Sequence, residues 1–385
     1  MNVPEEIENV GVLWYNSEKI GRRKCEMQDV LLGKLPDPFV LADGGRVKTK
    51  EDWERRRLEL LRDAVGLEYG GMPPVPESVS LERLHTPLRG RKNSYRIHIG
   101  EGKRTFSFLL HADMPNGDGP FPVLITGDAC YECVGDEAVA EAERRGFMVI
   151  RFDRTELAPD IYNSDRSSGI YPLYPAYPFS AVSAWAWGYH RVVDVLPDIP
   201  FADTGSVAVT GHSRGGKAVL LAGATDERIR FVNPNGSGAH GCGCYRYEQR
   251  EDDGERSERL ADLVRAVPYW LGPDMKSFAG RETELAHDMH LIKALIAPRY
   301  LFETNGTGDI WANPRGSYYS YRAAKRVWDF LGEGAAAVHY RDGGHGHTMA
   351  DITAFLDFID DILRGEKPED VIPAGYEAIP TDFGF

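Results

Sequence analysis

No apolar run in this chain reaches the ~18 residues that a membrane-spanning helix needs, so no such anchor is expected. The opening stretch, MNVPEEIENVGVLWYNSEKI, lacks the basic start and apolar core of a secretory leader, and the expected location is cytoplasmic. Positive charge is in short supply: 45 Lys and Arg stand against 59 Asp and Glu, a net charge of -14. That balance excludes a general nucleic-acid or anionic-membrane surface. Cysteine is scarce too. Cys25, Cys130, Cys133, Cys242 and Cys244 are an odd number with no framework spacing, as suits a reducing compartment. Cys130-Tyr-Glu-Cys133 with Cys242-Gly-Cys244 falls short of a four-thiolate zinc pattern, because the second pair is too tight. Neither a metal nor a cofactor is expected. Repeats, low-complexity tracts and linkers are also missing, so residues 1–385 read as one domain. An N-terminal arm and helix through 75 would pack on it, and a tail would run from 366 to 385.

What is present is a chain of 42% hydrophobic residues, long enough to bury a full core without staples. Thr49 or Lys50 through Val65 reads as a helix with Trp53, Leu58, Leu60, Leu61 and Val65 as its apolar stripe. Strand patterns fill Val79 to Leu110. Strands and helices then alternate. Phe121–Thr126 and Phe147–Phe152 read as strands, Glu137–Arg145 and Ala181–Leu196 as helices. Residues 153–177, rich in Tyr, Pro and Ser, read as a long surface loop. Later elements are a strand at Arg230–Asn233, a helical region from Ser257 to Leu271, strands at Tyr300–Glu303 and Ala336–Tyr340, and helices at Ser317–Leu331 and Met349–Leu363. This alternation predicts an α/β fold of three layers, a mainly parallel sheet with helices on both faces.

Ser206–Leu221, SVAVTGHSRGGKAVLL, organises the chain. A β-branched run leads into Gly211-His212-Ser213-Arg214-Gly215, and an alanine-rich helix follows. Strand, G-x-S-x-G and helix make the nucleophile elbow of an α/β-hydrolase. Its glycines let the serine occupy a sharp, strained turn. Such enzymes carry their triad in the order Ser, acid, His. Asp309, just past the Tyr300 strand, is the candidate acid. His345 in Asp342-Gly-Gly-His-Gly-His347 is the candidate base, with His347 the alternative. The oxyanion donors expected are the backbone N–H of Arg214 and a group near Gly127–Cys130. The Arg214 guanidinium is a further candidate, since a charged residue after the nucleophile is unusual.

These segments resemble the glucuronoyl esterases of carbohydrate esterase family 15. The likeness is carried by GHSRGGKAVLLAGATDERI (211–229), HLIKALIAPR (290–299), DIWANPRG (309–316), WAWG (185–188), DGGRVKTKEDWERRR (43–57) and YGGMPP (69–74). The resemblance implies a serine esterase acting on a small or oligosaccharide uronic acid ester. It makes Ser213 the nucleophile, His345 the base and Arg214 an oxyanion ligand, and sets Lys217, Tyr245 and Trp311 against the sugar. Many members, notably fungal ones, carry the triad Glu after the strand that follows the elbow, where this chain has Gly236 in Asn-Gly-Ser-Gly. Asp309 matches the place some bacterial members use. Tyr245 stands where a Trp is usual. A serine hydrolase of other specificity, such as an acetyl xylan esterase or a peptidase, or a non-catalytic binding module of the same fold are the competing readings.

Overall fold

The computed structural model describes residues 29–84, 92–162, 165–251 and 254–385. The start of the N-terminal arm, with Trp14, Tyr15 and the thiol Cys25, lies outside the described residues. Among the described residues eleven strands run β1 Val30–Leu31, β2 Ser78–Arg83, β3 Lys92–Glu101, β4 Arg104–Asp113, β5 Phe121–Thr126, β6 Met148–Arg151, β7 Ala202–His212, β8 Phe231–Asn235, β9 Tyr247–Glu248, β10 Tyr300–Gly306 and β11 Ala335–Arg341. The helices are α1 Lys50–Tyr69, α2 Asp136–Arg144, α3 Ala181–Val195, α4 Arg214–Thr225, α5 Leu260–Ala266, α6 Met289–Ala294, α7 Pro314–Leu331 and α8 Met349–Arg364.

Nine strands form one sheet in the order β11-β10-β8-β7-β5-β6-β4-β3-β2. From β11 to β6 all neighbours are parallel, and β4, β3 and β2 continue antiparallel at one edge. Alternation along the strands sorts the core into two. Val123, Ile125, Val207 and Val209 face a cluster with α1, α3, α4, α6 and α7, whereas Leu124, Ala208, Phe302 and Ala337 face α2 and α8. Successive side chains leave opposite faces of a strand, so both sides of the sheet are buried. This is the three-layer α/β architecture expected. No described helix is long and apolar enough to cross a membrane.

Three local differences have physical causes. Helix α1 runs on to Tyr69, closed by Gly70 in the left-handed region at φ 73°. Its buried stripe includes Arg57 and Glu68, while Leu58 is exposed. Polar residues occupy stripe positions there because each has buried partners, a signal that hydropathy does not carry. The segments 153–162 and 165–177 are only partly at the surface: Arg154, Leu157, Ile170, Tyr171 and Leu173 are buried. The predicted helix at 257–271 is shorter, α5 followed by a 3-10 turn at Pro268–Trp270, because Pro268 cannot continue an α-helix. The tail is partly internal as well, with Tyr376, Ile379 and Phe383 buried.

Candidate active site

Strand β7 ends at His212 and α4 starts at Arg214, leaving Ser213 between them at φ 55°, ψ -118°. A non-glycine residue held there is strained, a condition that persists only when its surroundings over-determine it. Close packing does so here. A Cβ on Gly215 would lie 2.1 Å from Asp128 Oδ1, and one on Gly211 2.5 Å from the Gly215 carbonyl. The Ser213 N–H donates to the Asn235 carbonyl at 2.8 Å, tying the elbow to the end of β8.

Asp309 follows β10 and His345 follows β11, parallel neighbours in the sheet. Their loops bring His345 Nδ1 to 2.6 Å from Asp309 Oδ2. Asp309 is buried and His345 is partly open to solvent. The His345 ring lies 4.4 Å from that of His212, the residue before Ser213. His347 goes elsewhere: its Nε2 sits 3.4 Å from Thr210 Oγ1. Burial lowers its pKa. Of the two histidines, His345 is the one that meets the carboxylate. His212 is held neutral, since burial and then the neighbouring imidazoles of His345 and His347 push its pKa well down; its Nδ1 is 2.5 Å from Asn235 Oδ1.

Gly236 has φ 49°, and a Cβ built on it would lie 3.4 Å from Asp309 Oδ2 and 3.6 Å from His345 Nδ1. The position that the resemblance associates with a glutamate therefore abuts the same imidazole nitrogen, and Asp309 approaches that nitrogen instead.

The loop after β5 narrows the choice of backbone donor. In the loop after β5, the Gly127 N–H donates to Tyr189 Oη at 2.6 Å, that of Asp128 to Thr126 Oγ1 at 3.2 Å, and that of Ala129 to the Phe152 carbonyl at 3.3 Å. Within the expected stretch Gly127–Cys130, the first three N–H groups are thus committed inside the protein. Arg214, as the first residue of α4, has a backbone N–H free of the helix ladder. Its guanidinium is 30% exposed, with Nη1 donating to Asp160 Oδ2 at 2.8 Å.

Lys217 lies one turn into α4 and is buried. Its ammonium donates to the Ser237 carbonyl at 2.7 Å, to the Ala239 carbonyl and to Glu258 Oε2 at 3.3 Å. Burial lowers its pKa, opposed by the Glu258 carboxylate. All three ammonium protons therefore have protein acceptors. Trp311, 47% exposed, stands at the rim two residues after Asp309, and its carbonyl accepts the Glu258 N–H at 2.9 Å.

Tyr245 requires a correction. Expected to stack on or donate to the sugar, it is buried, and its hydroxyl donates to Glu68 Oε1 at 2.5 Å. Glu68 on α1 also meets His240 Nδ1 at 2.5 Å and His287 Nε2 at 2.7 Å. Burial works to raise Glu68, but hydrogen bonds and charge from His240 and His287 overrule it and hold its pKa far below the carboxylate range. The aromatic ring beside the two cations is Trp270, 5.0 Å from the Arg214 guanidinium carbon and 5.6 Å from Lys217 Nζ. Trp270, Glu258 and Asp160 were not singled out from sequence. Asp160 and Glu258 sit in irregular stretches and Trp270 ends a 3-10 turn; none carries a motif, and only tertiary contact reveals them. Among the described residues no cluster of side chains suits a metal ion. The Cys244 thiol donates to Asp288, and Cys130 lies 3.1 Å from Arg154.

A family model described as glucuronyl esterase, fungi, matches residues 97–332, more than half of the chain. A 4-O-methyl-glucuronoyl methylesterase from Schizophyllum commune is 31% identical over 320 residues, covering 81% of this chain and 77% of that one. Among solved structures, a carbohydrate esterase family 15 glucuronoyl esterase from Caldicellulosiruptor kristjansonii matches with a TM-score of 0.77 at 30% identity, covering 90% of this chain and 97% of that one. A glucuronoyl esterase mutant from Sporotrichum thermophile, solved in complex with methyl 4-O-methyl-beta-D-glucopyranuronate, shares the fold with a TM-score of 0.72 at 24% identity, covering 92% and 97%. Sequence and architecture converge, and the chain belongs to the glucuronoyl esterase family, carbohydrate esterase family 15.

Proposed function

We propose that this protein hydrolyses esters of glucuronic acid or its 4-O-methyl ether, with Ser213 as nucleophile, His345 as base and Asp309 as the acid that orients it. The observation that carries the reading is the 2.6 Å contact of Asp309 with His345 Nδ1 beside the strained serine elbow. With Nδ1–H held by the carboxylate, Nε2 is the lone-pair nitrogen. It takes the Ser213 hydroxyl proton as Oγ bonds to the ester carbonyl carbon. The Arg214 N–H and guanidinium stabilise the oxyanion. Collapse expels the alcohol, which leaves with the proton from Nε2, and the uronoyl group stays on Oγ. Water then attacks that acyl carbon, gives its proton to Nε2, and releases the uronic acid; the proton returns to Ser213. Asp309 stays anionic throughout.

Two cations beside the nucleophile suit an acyl group rich in oxygen better than a plain acetyl group. Trp311 at the rim offers a face for the sugar ring. Lys217, buried and with its protons already shared among two carbonyls and Glu258, lies behind the pocket wall and holds it in place rather than meeting the sugar itself. The test compares kcat/KM for methyl 4-O-methylglucuronate and 4-nitrophenyl acetate. The expected result is a clear preference for the uronate ester. A preference for the acetate would replace this reading with a general acetyl esterase.

A further inference from the structure

One carboxylate outside the triad gathers more of the site than any other. Asp160 lies in the segment between β6 and α3, and its side chain is 3% exposed. Its Oδ2 accepts from Arg214 Nη1 at 2.8 Å and Tyr131 Oη at 3.2 Å. Its Oδ1 accepts from Tyr269 Oη at 2.7 Å and Trp270 Nε1 at 3.1 Å. Tyr131 and Trp270 are also the rings over which the Arg214 guanidinium rests, at 5.5 Å and 5.0 Å. A single side chain thus holds the cation and both aromatic surfaces beside it. Burial favours the neutral acid, but the Arg214 charge and the hydrogen bonds from Arg214 and Tyr269 outweigh it and bring the Asp160 pKa below its ordinary value.

We propose that Asp160 is a positioning residue for the oxyanion site, fixing Arg214 so that its remaining guanidinium edge faces the charge that develops on the ester oxygen. The inference rests on the reading of Arg214 as an oxyanion ligand. Three features argue for positioning over a plain ion pair. With the Gly127, Asp128 and Ala129 N–H groups committed elsewhere, the site leans on Arg214 more heavily than a backbone-built oxyanion hole would. An arginine side chain has many rotamers, and a donor stabilises a transition state best when it needs no reorganisation. A bond to one Nη leaves the other nitrogens of the planar fork in a defined direction. Asp160 is too buried to touch substrate, so it acts through Arg214.

The test is a double-mutant cycle on methyl glucuronate with wild type, Asp160→Asn, Arg214→Ala and the double variant, each checked by thermal unfolding. Asp160→Asn is expected to fold and to lose roughly 10- to 100-fold in kcat with KM nearly unchanged, less than the ~10²–10³ that removing an oxyanion donor outright costs. In the Arg214→Ala background the same change should cost almost nothing further. Added guanidinium ion should restore part of the Arg214→Ala activity and none of the double variant's. Equal fractional losses in both backgrounds, or a faster Asp160→Asn enzyme, would overturn the proposal while leaving Arg214 in its role. Wild-type kcat in Arg214→Ala would instead remove the oxyanion reading itself, and this inference with it. Asp160→Glu keeps the charge and shifts it by one methylene, and should show the same kcat loss. If neither Asp160 variant folds, the carboxylate is structural and the proposal fails.

Discussion

Asp309→Asn is the sharpest probe of the triad, and the structure supplies the reason for its size. Asp309 Oδ2 faces His345 Nδ1 at 2.6 Å, while Oδ1 accepts from the Ala312 N–H at 3.4 Å, a proton shared with the Asp309 carbonyl at 3.0 Å. An asparagine here has one oxygen to offer. If it keeps the Ala312 contact, its NH2 group points at Nδ1. That orientation favours the imidazole tautomer with its proton on Nε2, the nitrogen that must accept the serine proton. The expected loss is ~10⁴ in kcat, the size seen when a triad aspartate becomes asparagine. At ~1.4 kcal/mol per decade this corresponds to about 5.5 kcal/mol of transition-state stabilisation. Folding should be spared, because the volume and the backbone bonds of the loop, such as that from the Asp309 N–H to Gly306, are kept. The assay is steady-state hydrolysis of methyl glucuronate with a parallel thermal melt. A folded variant within tenfold of wild type would refute the argument and hand the role to another carboxylate.

Gly236→Glu in the Asp309→Asn background supplies a carboxylate on the same side of His345 Nδ1, and should recover at least tenfold of the lost rate; no recovery would mean that position 236 cannot stand in for 309. Tyr245→Phe removes one donor from Glu68 and should lower stability by about 1–2 kcal/mol in denaturant titration. Its kcat and KM on the uronate ester should not move, since the hydroxyl is committed to Glu68; a raised KM would restore it to the sugar site. His190 and His290 are buried, and desolvation lowers each from 6.5 to about 4. Between those values the unfolded chain binds protons that the folded chain refuses. Stability should therefore be full above pH 6.5 and fall by up to about 3 kcal/mol per histidine as pH drops to 4. Denaturant midpoints across that window measure it, and His190→Gln should flatten the slope. An unchanged slope in that variant would count against His190 as a titrating group.

Much of this was legible in one dimension. The elbow announced itself because a β-branched strand, two small residues flanking a serine and an alanine-rich helix have few other uses in that order. Asp309 and His345 followed from chain order and from their places after strands. The residues that sequence reading passed over share another character. Asp160 sits in a Tyr- and Pro-rich stretch that reads as solvent-exposed, yet it is buried because four donors converge on it. Glu68 occupies a core position on α1 where hydropathy predicts a surface residue. A buried carboxylate is stable only through partners distant in sequence, so the residue itself carries no local mark. Tyr245 failed for the converse reason: an aromatic residue beside a catalytic loop looks available until its hydroxyl is found to be taken.

The Glu68 node also changes how the front of the polypeptide should be regarded. The carboxylate reaches His240 across 172 positions and His287 across 219. His240 passes the connection to the Trp270 carbonyl at 3.0 Å. Trp270 in turn lies against both cations of the pocket. A fragment beginning at Ser78 would retain Ser213, Asp309 and His345, and would still leave two interior imidazoles without their shared anion. The first helix is thus a keystone of the pocket floor, and turnover becomes a readout of whether that helix has seated.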